Sequence, residues 1–142
     1  MKPQDTKLIG DITELKCQTA FLELGYEVLV PIGDRCRYDF VATDGKEYIR
    51  VQCKTAHSTD NGATFEIVGT SSHYRDGKCV KHKYTADEID YFATVWLDKC
   101  YLVPVTSGNH KILRITPPRS NNQKGINMAE DYEIAKILNQ RK

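Results

Sequence analysis

CRYDFVATDGKEYIRVQCKT, Cys36 to Thr55, is the stretch whose reading decides the fold. It holds two runs rich in aromatic and β-branched residues, Cys36–Thr43 and Lys46–Thr55, joined at Asp44-Gly45. That dipeptide accepts the positive φ angles of tight hairpin turns. In the second run Tyr48, Arg50, Gln52 and Lys54 alternate with Ile49, Val51, Cys53 and Thr55. A period of two therefore puts an apolar set on one face and a polar, charged set on the other. The hairpin predicts a sheet with one covered face and one face equipped for chemistry.

Upstream, about Lys7 to Leu24 reads as a helix: Asp5 or Thr6 can cap it, Leu8, Ile12, Leu15 and Leu22 recur at helical spacing, and Gly25 ends it. Ile9, Cys17, Ala20, Phe21 and Leu24 add apolar character around the wheel, so the helix is expected to be covered on more than one side. Tyr26–Ile32 reads as a strand leading into the hairpin. Downstream, Thr64–Val68 reads as a strand, and His73–Lys83, polar, basic and Gly-containing, as a loop. Thr85–Asp90 has the capping pattern of one helical turn. YFATVWL, CYLVPV and KILRIT read as short strands, Thr116–Gly125 as a long surface loop and Met128–Asn139 as a closing helix. The sum is an α/β chain, a mixed β-sheet flanked by α-helices. One domain is expected over residues 1–142, with its core in about 7–105 and a C-terminal loop and helix in 116–142.

Bulk properties narrow the function by exclusion. A net charge of +1 gives no general nucleic-acid footprint, so any such role must rest on local residues. No apolar run approaches the roughly 20 residues of a spanning helix, and MKPQDTKLIGD lacks a signal-peptide core, so no membrane is expected and a cytoplasmic location is. Cys17, Cys36, Cys53, Cys79 and Cys100 stand singly, as reduced thiols do. His57, His73, His82 and His110 have no ligand spacing with them.

Hydrolysis of a phosphodiester needs divalent cations held by oxygen atoms, an activated water and positive charge for the transition state. Asp39 on the first strand of the hairpin, Gln52 and Lys54 on the second, and the Cys53 carbonyl between them supply those groups near one turn. Glu14 reaches the same place if the helix packs across the strands.

The order of Glu14, Asp39 and then Gln52-Cys53-Lys54 resembles the PD-(D/E)XK nucleases. The surrounding phrases, from GDITELKCQTAFLELGYEVLV through the hairpin and on to KYTADEIDYFATVWLDKCYLVPV, look like the group I intron homing endonucleases of that class, and more distantly like Holliday-junction resolvases. The resemblance covers the first 56 or so residues well and reaches about Val105. It implies a restriction-endonuclease-like core and Mg²⁺, with Mn²⁺ as a possible substitute. It also implies double-stranded DNA cut to a 5′-phosphate and a 3′-hydroxyl, and a prokaryotic or phage context. Because one centre cuts one strand, a homodimer or homotetramer is expected. Asp39, Gln52, the Cys53 carbonyl and Glu14 would hold the cation, and Lys54 would orient water and stabilise phosphate charge. Tyr38 stands where the motif has Pro, and Gln52 where it has an acid. A neutral amide ligates without supplying charge, so more of the cation's neutralisation falls to Glu14; the glutamine itself looks like a feature of the intron group. Site-specific homing, junction resolution and DNA binding without cleavage all remain open at this point.

Singly, each residue has a plainer reading. Glu14 suits a helix surface, Asp39 a turn, and Gln52 and Lys54 the solvent face of a strand; joint order and spacing favour the site. Arg75, Lys78, Lys81 and Lys83 are a solvated charge run or a phosphate clamp, and Arg35 and Arg37 can contact phosphates or pair with Asp34. His73, Tyr74, Arg75 and Asp76 could reach base edges. Tyr84, Tyr91, Phe92 and Trp96 read as packing residues.

Overall fold

A computed structural model describes residues 5–118 and 125–142, so part of the expected surface loop, 119–124, lies outside the described residues. The first helix, α1, runs Thr6–Glu23, and its N-cap is Asp5, whose carboxylate accepts from the Leu8 N–H at 3.0 Å. Such a cap satisfies one of the N–H groups that a helix leaves open at its start.

The inward face of α1 is not the expected one. Thr13, Cys17 and Phe21 are buried, whereas Leu8, Ile12, Leu15 and Leu22 are 39% to 61% exposed. Small side chains let the helix approach the sheet closely, and Phe21 fills the remaining gap edge-on to Tyr26 and Phe40, with ring centroids 5.7 and 5.6 Å away. The long aliphatic stripe is left outside.

Among the described residues ten strands follow: β1 (Glu27–Leu29), β2 (Phe40–Thr43), β3 (Tyr48–Cys53), β4 (His57–Thr59), β5 (Thr64–Val68), β6 (Ser71–Arg75), β7 (Lys78–His82), β8 (Tyr91–Trp96), β9 (Lys99–Pro104) and β10 (His110–Arg114). The central sheet has the order β1-β2-β3-β8-β9 and is mixed, since β3 and β8 run parallel and its other pairs antiparallel. Alternation divides its faces. Ile49, Val51, Ala93 and Leu102 meet α1 in one core, while Phe92, Tyr101 and Val103 meet Phe65, Ile67 and Leu113 in a second core under the sheet β10-β5-β4.

Three expectations are corrected. The first strand of the hairpin starts at Phe40 and not at Cys36, for a reason that belongs to the site. Residues 71–82 are a β-hairpin, not a loop: Arg75 pairs with Lys78 around Asp76-Gly77, both at positive φ (53° and 75°). The closing helix is split. A 3-10 turn, Ala129–Tyr132, precedes α2 (Ile134–Gln140), and between them Glu133 is extended (φ −58°, ψ 139°), bridges to Tyr101 and pairs with Lys99 at 3.2 Å. Holding the sheet edge there requires breaking the helix.

Candidate active site

The C-terminal end of β3 gathers the residues singled out in the sequence. Asp39 N–H donates to the Val51 carbonyl at 2.8 Å, and the Asp39 carboxylate accepts the Cys53 N–H at 2.8 Å. A side chain thus takes the acceptor position that a ladder would give to backbone, and regular β2 pairing starts one residue later, at Phe40↔Val51. The register ends there, because Asp39 N–H reaches the same Val51 that already pairs with Phe40, as at a β-bulge. Lys54 is anchored by its N–H to the Ala93 carbonyl at 2.9 Å, across the parallel β3–β8 pair. The N–H and C=O of a strand residue point to the same side, so the Cys53 carbonyl faces the Asp39 edge. Its thiol instead turns into the α1 core, where Cys17 is buried.

Glu14 arrives from the α1 side of the sheet, held only weakly by Gln18 at 3.4 Å. Burial raises the Glu14 carboxyl above its ordinary value, and the nearby charges of Asp39 and Asp11 push it further. Asp39 is raised as well, by burial, against the Cys53 N–H and the charge of Lys54. Burial pulls the Lys54 ammonium down, with Asp39 opposing and Arg37 adding to the effect. Among the described residues, no hydrogen bond or ion pair engages the Lys54 ammonium or the Gln52 amide. Two carboxylates that repel one another, beside one uncommitted amide and one uncommitted ammonium, form a centre whose negative charge is incompletely balanced.

The basic residues separate. Arg35 is exposed, with no ion-pair partner among the described residues. Arg37, expected beside it as a phosphate contact, is committed inside the protein: it pairs with Glu88 at 3.0 Å, donates to Ser71 Oγ and the Lys83 carbonyl at 3.1 Å each, and stacks 3.8 Å from the Tyr84 ring centroid. Arg75, Lys78 and Lys81 are exposed on β6–β7, and Lys83 just beyond it. Of the candidate base-reading residues, Tyr74 is 81% exposed, Asp76 forms the turn, and the His73 side chain lies outside the described part. Sequence reasoning missed two supports. Arg50, on β3, donates to both Asp90 oxygens (3.2 and 3.1 Å) and to the carbonyls of Asp87 and Ala86, tying that strand to the Thr85–Asp90 turn. Asn109 clamps the backbone of Tyr84 from both sides, accepting its N–H at 2.7 Å and donating to its carbonyl at 3.0 Å. No local pattern announces bonds across 25 to 40 residues.

The family model of the PD-(D/E)XK endonuclease matches residues 4–135. The chain belongs to that family. The match runs well past Val105, through β10 and the 3-10 turn Ala129–Tyr132, and ends at the start of α2. As a PD-(D/E)XK endonuclease the protein has nuclease function and a DNA substrate, and nucleases of this family generally use divalent metals. No curated protein matches the chain in sequence. Among solved structures, that of a bacterial homing endonuclease, I-Ssp6803I, aligns with a TM-score of 0.78 over 96% of this chain and 94% of that one, at 23% identity. That is a likeness of fold. No helix among the described residues is long and apolar enough to cross a membrane.

The donor chemistry of the site fits a hard divalent cation. Among the described residues no group of three His, Cys, Asp or Glu side chains could hold a metal. The groups gathered here are instead two carboxylates, an amide and a peptide carbonyl, all oxygen donors, which hard divalent cations prefer.

Proposed function

We propose that this nuclease is a Mg²⁺-dependent, site-specific DNA endonuclease of the homing type. The observation that carries the catalytic assignment is the bond from Cys53 N–H to Asp39, which joins the aspartate to the strand end bearing Gln52 and Lys54 within the electrostatic reach of Glu14. Asp39, Gln52, the Cys53 carbonyl and Glu14 would hold the cation, for which Mn²⁺ can substitute. Bound there, it supplies Lewis acidity toward a phosphate oxygen and a lowered pKa for water. Lys54 holds the attacking water in line and donates to the developing phosphate charge, a preorganised contact in a half-buried position.

Recognition falls to the two-stranded ribbon β6–β7. A ribbon of this width enters the major groove, roughly 12 Å across. At its tip Arg75 and Lys78 are directly cross-strand, a like-charge pair that destabilises a free hairpin and suits an anion between them. Arg35, Lys81 and Lys83 are exposed for phosphate contact. The reading takes the chain as one domain, with both cores packed on the same sheet, working inside the cell. A double-strand cut needs two centres, hence a homodimer or homotetramer. The outward aliphatic stripe of α1, with Leu97 at 77% exposure, offers an apolar surface for that assembly.

The test is cleavage of a plasmid library of random target sequences, with Mg²⁺ and with chelator, beside an immobile four-way junction. Metal-dependent cutting of a narrow sequence set supports the reading. Efficient sequence-blind cutting of the junction would reverse the homing assignment, and cutting undiminished by chelator would remove the metal.

A further inference from the structure

We propose that Tyr84 is a positioning residue for the catalytic lysine, its ring fixing the Lys54 ammonium where the reaction needs it. The inference rests on the proposed role of Lys54 and adds what holds that side chain. A lysine ends in a compact charge on a flexible four-carbon stem, so without a partner its ammonium samples many positions. Lys54 has no hydrogen bond or ion pair to restrict it among the described residues, yet it is half-buried at a centre where about 1 Å of misplacement can cost on the order of 10²-fold in rate. What it does have is the Tyr84 ring, whose centroid lies 5.1 Å from Nζ, within the range of cation–π attraction.

The ring is built to be rigid. Asn109 clamps its backbone, and Phe92 meets it edge-on at 5.5 Å and 87°. Arg37 stacks on it at 3.8 Å while Glu88 holds the guanidinium at 3.0 Å. Tyr84 itself is only 6% exposed. A core tyrosine needs neither two cations nor this many restraints. Arg37 and Ser71 also join this plate to the root of the β6–β7 ribbon, so the surface that grips DNA and the side chain that meets the phosphate share one support.

Single-turnover cleavage and DNA affinity of Tyr84→Leu and Tyr84→Phe test the inference, together with the ring-current shift of the Lys54 ε-methylene resonances, assigned by their loss in Lys54→Met. Expected are an upfield-shifted Lys54 signal in the unmodified protein, a rate loss of about tenfold or more in Tyr84→Leu with affinity within about threefold, and recovery of most of that rate in Tyr84→Phe, which keeps the ring. An unshifted Lys54 signal overturns the inference whether or not Tyr84→Leu folds. So does a Tyr84→Phe rate as low as that of Tyr84→Leu, or a Tyr84→Leu rate equal to the unmodified protein's. If Lys54→Met still cuts well, the reading of Lys54 as catalytic falls instead, while the shift still reports whether the ring holds it.

Discussion

Two hairpins of this chain turn at an Asp-Gly dipeptide, and they finish in opposite surroundings. In β2–β3 the turn at Asp44-Gly45 spans four residues, with Asp44 accepting the N–H groups of Lys46 and Glu47 at 3.0 and 2.9 Å. Its strands lie in the middle of the five-stranded sheet, and Phe40, Ile49 and Val51 are fully buried under α1. In β6–β7 the turn at Asp76-Gly77 has two residues, both at positive φ, and the strands form a sheet of their own, exposed along most of its length. Covering decides the task of each. A covered hairpin can hold Asp39 and Lys54 half-dry, where charge interactions are strong and pKa values move. An uncovered ribbon leaves its cations in solvent, where charge interactions are weak.

The difference is sharpest in what mutation should separate. Asp39→Ala or Lys54→Ala should lower single-turnover cleavage by on the order of 10²- to 10⁴-fold, with duplex affinity within a few-fold, because the covered hairpin supplies chemistry and little grip. Near-unmodified cutting by either variant would end the catalytic assignment. Neutralising Lys78, Lys81 and Lys83 together should do the reverse. Binding to any duplex weakens, and the slope of log affinity against log salt shrinks by about 0.9 for each phosphate that the ribbon no longer neutralises, while the rate at saturating DNA holds. An unchanged salt slope would make the ribbon an ordinary solvated surface.

How much of this is legible in the sequence follows the same division. The β2–β3 hairpin can be read because its signals are local: an alternating apolar set, a turn dipeptide, and chemistry-bearing residues two apart. The ribbon carries the same dipeptide but lacks the apolar alternation, so polarity and basicity outweigh the turn signal and predict a loop. The α1 wheel misleads in the other direction. Long aliphatic residues mark a face that the fold leaves outside, because close packing on the sheet selects Thr13, Cys17 and Phe21. Tyr84 and Asn109 cannot be found from spacing, since what joins them to Lys54 and Arg37 is the folding of distant segments onto one strand end.

The smallest expected effect probes whether the two hairpins belong to one cooperative unit. Gly45 and Gly77 sit at φ 94° and 75°, and a Cβ built on either meets no atom within 4 Å, so alanine at both positions carries backbone strain without a clash. That strain is roughly 1–2 kcal/mol in each case. The readouts should nevertheless differ. β2–β3 is interior to the sheet and cannot open without exposing Phe40, Ile49 and Val51, so Gly45→Ala is felt at the global midpoint and lowers Tm by a few degrees. The ribbon has little apolar surface to lose and is expected to open before the rest, so its strain is largely absent at the midpoint. Gly77→Ala should therefore leave Tm closer to the unmodified value while speeding hydrogen exchange at the paired amides of Ser72 to Arg75 and Lys78 to Lys81. It should also weaken DNA binding modestly, with cleavage at saturation intact. Equal Tm losses, with no excess exchange confined to the ribbon, would mean that β6–β7 folds and melts with the central sheet, and that the proposed recognition and chemistry are less separable than the burial of the two hairpins suggests.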